Sequence, residues 1–155
     1  MKRVLILFAS MSGNTEEMAD IIERGLDSDH IEIVKKQIDI DPITTHELKD
    51  YDGLLFGSYT WGDGDLPDEL EDFYDELEDL NLAGLSAATF GSCDSAYPQY
   101  GAAVDILRDK LFELGAEIVL DGLKVELTPD EEDVKACLKF GRSFAEHLLH
   151  QPSYS

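Results

Sequence analysis

Residues Val4-Leu-Ile-Leu-Phe8 form an unbroken apolar run, with no polar residue on either side of the pleat. An alternating strand can leave one face in water; this one cannot. Covered on both faces, it belongs at the centre of a parallel sheet with helices above and below. The chain then changes character at once. Ala9-Ser-Met-Ser-Gly-Asn-Thr-Glu-Glu-Met-Ala19 starts as a tight loop of hydroxyls around one glycine and continues at helical spacing. Strand, short loop and helix in this order bring backbone amides and the positive end of a helix dipole to the loop, the layout of a phosphate cradle. Yet the loop holds neither Lys nor Arg.

The rest of the chain repeats the alternation of apolar run and helical pattern that marks βαβ units. Asn14–Leu26 predicts a helix with Met18, Ile21, Ile22 and Gly25 on one side. Ile31–Val34 is a short strand, alternating enough for an edge, and Asp41-Pro42 breaks the chain before a short helix over Thr44–Lys49. A third strand spans Gly53–Gly57, followed by a helix over Pro67–Leu80 with Leu70, Phe73, Tyr74 and Leu77 inward. A fourth strand covers Leu85–Phe90. Pro98 suits a helix start, and Ala102, Ala103, Ile106, Leu107, Lys110 and Leu114 mark that helix. Ala116–Leu120 is the fifth strand. Asp130–Leu149 is the last helix, with Val134, Cys137, Leu138, Gly141, Phe144, Ala145 and Leu148 at three- and four-residue spacing. The expected fold is α/β: a doubly wound five-stranded parallel sheet with helices on both faces. It forms one domain over residues 1–150, and 151–155 reads as a flexible tail.

Charge narrows the function. With 34 acidic against 12 basic residues, the net charge is −22 in 155 residues, while 43% hydrophobic content is enough for a packed core. Nucleic acid and anionic membrane surfaces would be repelled; a partner with a basic face would be attracted. Cys93 and Cys137 form no CxxC or zinc spacing and fit a reducing compartment. Met1-Lys-Arg before the apolar run mimics a signal peptide, but the run is short and leads into the hydroxyl loop rather than a small-residue cleavage site. The expectation is a cytoplasmic monomer. Asp63-Gly-Asp65 hints at a calcium loop but lacks its sixth-position glycine and closing Glu, so no metal is expected. His30, His46, His147 and His150 read as solvated.

Ligands of open parallel sheets bind at the carboxyl ends of the strands, near the switch in strand order. Three loops leave such ends: Ser10–Thr15, Ser58–Gly64 and Gly91–Gly101. The first matches neither GxxxxGK[ST] nor GxGxxG. What it offers is the hydroxyls of Ser10, Ser12 and Thr15, the amide of Asn14 and backbone N–H groups, donors that hold a phosphate without a cation. Ser12 or Asn14 taken singly is equally a helix cap. The second loop carries Trp61 among Gly62, Asp63 and Gly64; the third carries Tyr97, Pro98 and Tyr100. One aromatic beside glycines is usually packing. Two at the same sheet edge form a slot for a planar ring, and a phosphate grip with such a slot describes a flavin mononucleotide site.

These stretches, Ser10-Met-Ser-Gly-Asn-Thr15, Thr60-Trp-Gly-Asp63 and Gly91-Ser-Cys-Asp-Ser-Ala-Tyr97, closely resemble the flavodoxins, and the resemblance runs over essentially the whole chain. The length is similar to the short-chain bacterial branch, since the fifth strand passes from Ala116 to Val125 without a long insertion. The resemblance implies strand order 2-1-3-4-5, noncovalent FMN and low-potential one-electron transfer between a reductase and acceptor redox enzymes, with no catalytic residue. It implies cofactor contacts from Ser10, Met11, Ser12, Gly13, Asn14, Thr15, Ser58, Tyr59, Thr60, Trp61, Gly62, Asp63, Ser92, Cys93, Asp94, Tyr97, Tyr100 and Gly101. Trp61 and Tyr97 would cover the ring faces. The Gly62 carbonyl and Asp63 amide would meet flavin N5, in a turn that glycine enters at no steric cost. Met11 departs from the hydroxyl residue many members carry there.

The missing cation then has a purpose. Fully reduced FMN is an anion, so every negative charge left near the ring opposes its reduction. Asp63 to Asp79 contains ten acidic residues and no basic one. Each at ~10 Å, with an effective dielectric of ~40, opposes the reduced ring by about 0.8 kcal/mol, roughly 35 mV for one electron. The rival is a flavin-dependent NAD(P)H oxidoreductase on the same fold. The sequence shows no nicotinamide pocket, and the acidic rim would repel a phosphorylated dinucleotide.

Overall fold

The computed structural model describes residues 1–11, 13–26, 29–60, 64–95 and 100–150. In chain order the elements are β1 (Lys2–Ala9), α1 (Asn14–Leu26), β2 (Ile31–Gln37), a 3-10 helix (Thr45–Asp50), β3 (Gly53–Ser58), α2 (Asp68–Glu76), β4 (Ser86–Cys93), α3 (Ala102–Glu113), β5 (Glu117–Ile118), β6 (Leu123–Glu126) and α4 (Glu131–His150). The strands run parallel in the order β2-β1-β3-β4-β5, with β6 also pairing with β4. The doubly wound 2-1-3-4-5 sheet expected from the sequence is therefore present.

The apolar run of β1 explains the layering. Val4, Ile6 and Phe8 point into a core shared with Met18 and Ile22 of α1 and Phe140 and Phe144 of α4. Leu5, Leu7 and Ala9 point the other way, into a core with Leu70 and Phe73 of α2 and Leu107 and Leu111 of α3. A strand buried on both faces cannot be wetted, so only the strand ends stay open. β2 sits at the edge, as its alternation predicts, and Lys35 and Lys36 guard it. Lys35 pairs with Asp20 and Glu23 of α1; Lys36 donates to Pro42 O and Glu47.

Two elements differ from expectation. The fifth strand is broken: β5 lies beside Ser86–Ala87 and β6 beside Phe90–Cys93, on the same side of β4. Between them residues 119–122 leave the ladder with a bend at Leu120, and a Cβ on Gly122 would stand 2.7 Å from Val104 of α3. β4 consequently runs on to Cys93 rather than ending at Phe90. α2 ends at Glu76 instead of Leu80, because a turn follows and Asp79 takes the left-handed conformation (φ 73°). The buried face of α3 falls on Ala103, Val104, Leu107, Lys110 and Leu111, so the expected Ala103, Leu107 and Lys110 are inside, while Ala102, Ile106 and Leu114 are only partly covered.

Helices α1 and α4 meet through glycines. A Cβ on Gly25 would lie 2.3 Å from Leu138 O, and one on Gly141 would lie 2.3 Å from Ile22 O. Each glycine thus lets the other helix's backbone approach closer than any side chain allows. α4 itself starts on a reciprocal cap: Asp133 N–H donates to Asp130 Oδ1 (2.9 Å) and Asp130 N–H to Asp133 Oδ2 (3.1 Å). In an exposed helix Gly→Ala stabilises by about 1 kcal/mol. Gly141→Ala should do the reverse, costing about 1–3 kcal/mol because backbone must shift. Urea unfolding at unchanged m-value measures it, and a stabilised variant would show that the two helices are not locked by this contact.

Candidate functional site

The chain leaves β1 outward to β2 and then returns across β1 to β3, so the switch point lies between β1 and β3. Ala9 is opposite Ser58, and Gly57 opposite Phe90, so the loops after β1 and β3 leave the sheet level with each other beside β4. The approach of β3 to β4 is tight: a Cβ on Gly91 would sit 1.9 Å from Ser58 O. Of the predicted contacts, Ser10, Met11, Gly13, Asn14, Thr15, Ser58, Tyr59, Thr60, Ser92, Cys93, Asp94, Tyr100 and Gly101 are placed, all at this end. Ser12, Trp61, Gly62, Asp63 and Tyr97 lie outside the described residues.

The first loop turns on Gly13, whose φ of 88° is left-handed, a conformation glycine takes without strain. The ladder of α1 begins with Glu17 N–H on Gly13 O (2.9 Å), and Glu16 N–H donates to Ser10 Oγ (3.2 Å). The amides of Asn14 and Thr15 lie just ahead, at the positive end of the helix. Thr15 is buried, its hydroxyl 2.8 Å from Ser92 Oγ, which ties the start of α1 to the end of β4. Asn14 Oδ1 accepts from Thr128 Oγ1 at 3.1 Å, a partner 114 residues along the chain that no local pattern announced. Among the described residues of this loop every donor is neutral, which suits a phosphate dianion held by dipoles alone.

The second and third loops are tied together. Thr60 Oγ1 accepts the N–H of Ala103 at 3.2 Å and so caps α3, whose N-cap residue Gly101 has φ 67°. Ser58 is fully buried and donates to Tyr59 O (2.7 Å). Tyr59 donates its hydroxyl to Glu69 Oε1 of α2 at 2.9 Å; burial first, then Glu69, push its phenol above the ordinary tyrosine range, so it stays protonated. Beside the first loop a cleft of about 400 Å³ is lined by Ser10, Met11, Asp39, Tyr59, Asp68 and Glu69. Its three carboxylates put negative charge against the loop that lacks a cation. Asp39 was not anticipated, since it stands after an edge strand.

The histidines need one correction. His147 Nε2 lies 3.5 Å from Glu117 Oε1, so it is paired with β5 rather than merely solvated. Among the described residues no group of three or more ligand-type side chains is arranged for a metal ion, and no helix is long and apolar enough to cross a membrane.

Fold and loops together define a doubly wound α/β protein with three adjoining loops at its switch point, the described donors of the first all neutral. Comparison with known proteins narrows this. The flavodoxin family profile matches residues 6–141. Probable flavodoxin 2 of Bacillus subtilis is 44% identical over 146 residues, covering 94% of this chain and 95% of the relative. The flavodoxin of Maridesulfovibrio salexigens is 32% identical over 137 residues, covering 86% of this chain and 92% of its own. The crystal structure of oxidised Flavodoxin 1 from Bacillus cereus superimposes with a TM-score of 0.90 at 56% identity, covering 94% of this chain and 98% of the other. The chain belongs to the flavodoxin family. It is an FMN-based electron carrier of the short-chain bacterial kind rather than an enzyme; the NAD(P)H oxidoreductase alternative is not favoured.

Burial holds both thiols in the protonated form at neutral pH. Cys93 is the last residue of β4, and its Sγ contacts Gly91 O at 3.5 Å; burial pushes its pKa up to about 11 despite nearby Lys124. Cys137 is fully buried between α4 and the sheet, its pKa pushed up to about 12 by burial. Thiolate, the reactive form, is therefore scarce at neutral pH. Native protein at pH 8 should leave both cysteines unmodified by an aromatic disulfide reagent, and denatured protein should titrate both. Rapid labelling of the native chain would mean that Cys93 opens to solvent.

Proposed function

We propose that the chain shuttles single electrons at low potential between a reductase and basic-faced acceptor proteins, as a cytoplasmic monomer whose residues 1–150 work as one unit. Ser10, Met11, Ser12, Gly13, Asn14 and Thr15 take the FMN phosphate. Ser58, Tyr59, Thr60, Trp61, Gly62 and Asp63 flank the ring from one side, and Ser92, Cys93, Asp94, Tyr97, Tyr100 and Gly101 from the other. FMN supplies reversible one-electron uptake and release.

The observation that carries this reading is the neutral loop at the N-terminus of α1 next to an acidic cleft. The hydroxyl of Ser10 and the amides ahead of the α1 ladder bind by dipole. Asp39, Asp68 and Glu69 add negative potential at the same place, opposing any further negative charge beside them. Anchored to Ser92, Thr15 holds the phosphate loop in register with β4, while Thr60 holds the second loop against α3. The closeness of the three loops after β1, β3 and β4, each bonded to another element, supports a single site. A continuous sheet with a core on each face supports one working unit, and two unpaired thiols agree with a reducing compartment.

Isolated protein should be yellow, and heat or acid extraction should release FMN in one-to-one ratio. Recovery of FAD, or of no flavin after reconstitution with FMN, would end this reading. Partner choice is tested on the acidic face that follows the second loop. Asp65, Asp68 and Asp72 are exposed there, and Glu69 is half-buried. Changing Asp65, Asp68 and Asp72 to Asn and Glu69 to Gln keeps the acceptor for Tyr59 but removes the charge. Electron transfer to a basic acceptor should slow severalfold at low salt and little at high salt. A parental rate at low ionic strength would place docking elsewhere.

A further inference from the structure

The broken fifth strand does more than complete the sheet. Segment 94–101, which joins β4 to α3, is fastened at both ends to β6, a strand of only four residues. At the leading end Ser95 donates its hydroxyl to Glu126 Oε1 at 2.6 Å, and Leu127 N–H bonds Cys93 O at 2.8 Å. At the trailing end Lys124 Nζ stands 2.8 Å from Asp105 Oδ2 in the first turn of α3 and reaches Tyr100 O at 3.5 Å. The Lys124 stem lies flat on Gly101: a Cβ there would meet Lys124 Cδ at 2.5 Å, Lys124 Cε at 2.8 Å and Cys93 Sγ at 3.0 Å. Leu127 closes the arrangement in a left-handed conformation (φ 52°), which a leucine adopts only when its surroundings impose it.

The register explains why these residues are available. Lys124 and Glu126 oppose Gly91 and Cys93, beyond the point where β3 stops pairing with β4, so β6 alone accompanies β4 to its end. A fifth strand that ended at Leu120 would leave that end of β4, and the loop it launches, without a neighbour on this side.

We propose that β6 is a clamp in which Lys124 and Glu126 act as positioning residues, fixing Ser95 at one end of the connection between β4 and α3 and Tyr100–Gly101 at the other before FMN arrives. The proposal rests on the assignment of this connection to the flavin ring. Loop ends already held in place do not lose that freedom on binding, so loosening them weakens affinity without removing any contact to the ligand. Neither side chain needs to touch FMN.

The signs of two charge changes separate a clamp from simple electrostatics. FMN is an anion, so if charge alone mattered Lys124→Met would weaken its binding and Glu126→Met would strengthen it. A clamp requires both to weaken it, each about tenfold, the scale of one lost charge-assisted hydrogen bond. Lys124→Met keeps the stem on Gly101, and Asp105 retains Arg108 at 3.8 Å. Ser95→Ala removes the Glu126 bond from its other end and should match Glu126→Met; the pair combined should cost no more than either alone.

The experiment measures FMN dissociation constants by fluorescence quenching, together with amide hydrogen exchange of the segment in apoprotein. Exchange in residues 94–101 should rise about tenfold in each variant, with the rest of the sheet at parental rates. Affinity changes of opposite sign, unchanged exchange, or faster exchange at parental affinity each overturn the clamp. Failure of the parent to bind FMN would instead remove the flavin assignment, while exchange would still decide whether β6 holds the loop. Should Glu126→Met not fold, Ser95→Ala carries the same test.

Discussion

Everything at the functional end depends on the exclusion of water from both faces of β1. Its side chains enter one core or the other by turns, with Val4, Ile6 and Phe8 on the α1–α4 side and Leu5, Leu7 and Ala9 on the α2–α3 side. With both faces closed, the strand ends are the one part of the sheet where polar groups can work. Because right-handed crossovers carry α1 to one face and α2 and α3 to the other, the chain must reverse direction beside β1. The crevice at that reversal is a product of the core, and the loops inherit it.

Electrostatics then decides what the crevice is good for. Helix dipole and hydroxyls hold an anion weakly, as individual donors do, yet they add no positive charge to the surroundings. The cleft beside them is lined by Asp39, Asp68 and Glu69, and the described cations nearby are committed elsewhere, Lys36 to Glu47 and Lys124 to Asp105. A carrier that must give its electron away gains from such a setting: affinity for the oxidised cofactor comes from neutral contacts, while the field works against keeping the electron. On the proposed function, the same field would steer basic partners from a distance.

Precision at the site comes from bonds that cross between elements. Thr15 with Ser92, Thr60 with Ala103, Asn14 with Thr128 and Ser95 with Glu126 each join segments far apart in the chain. All four use a hydroxyl that would serve as an ordinary cap or turn residue if judged from its neighbours. The arrangement makes the loops parts of one framework rather than three independent appendages.

What the sequence determined by itself was the part written in short-range patterns. The apolar run of β1, the helical spacing of α1 and the hydroxyl loop between them made a central parallel strand and a phosphate cradle legible, because periodicity and local turn chemistry need no distant partner. α1 was readable to the residue. Tertiary structure alone decided the break over residues 119–122, the end of α2 at Glu76, the burial of Val104 and Leu111 on α3 and the glycine contact between α1 and α4. Each depends on what packs alongside: Val104 against Gly122, Leu138 O against Gly25, Ile22 O against Gly141. Thr128, Lys124 and Glu126 were invisible for the same reason. Their roles exist only once β6 lies beside the end of β4, and register between strands is set by the core as a whole rather than by any residue's immediate neighbours.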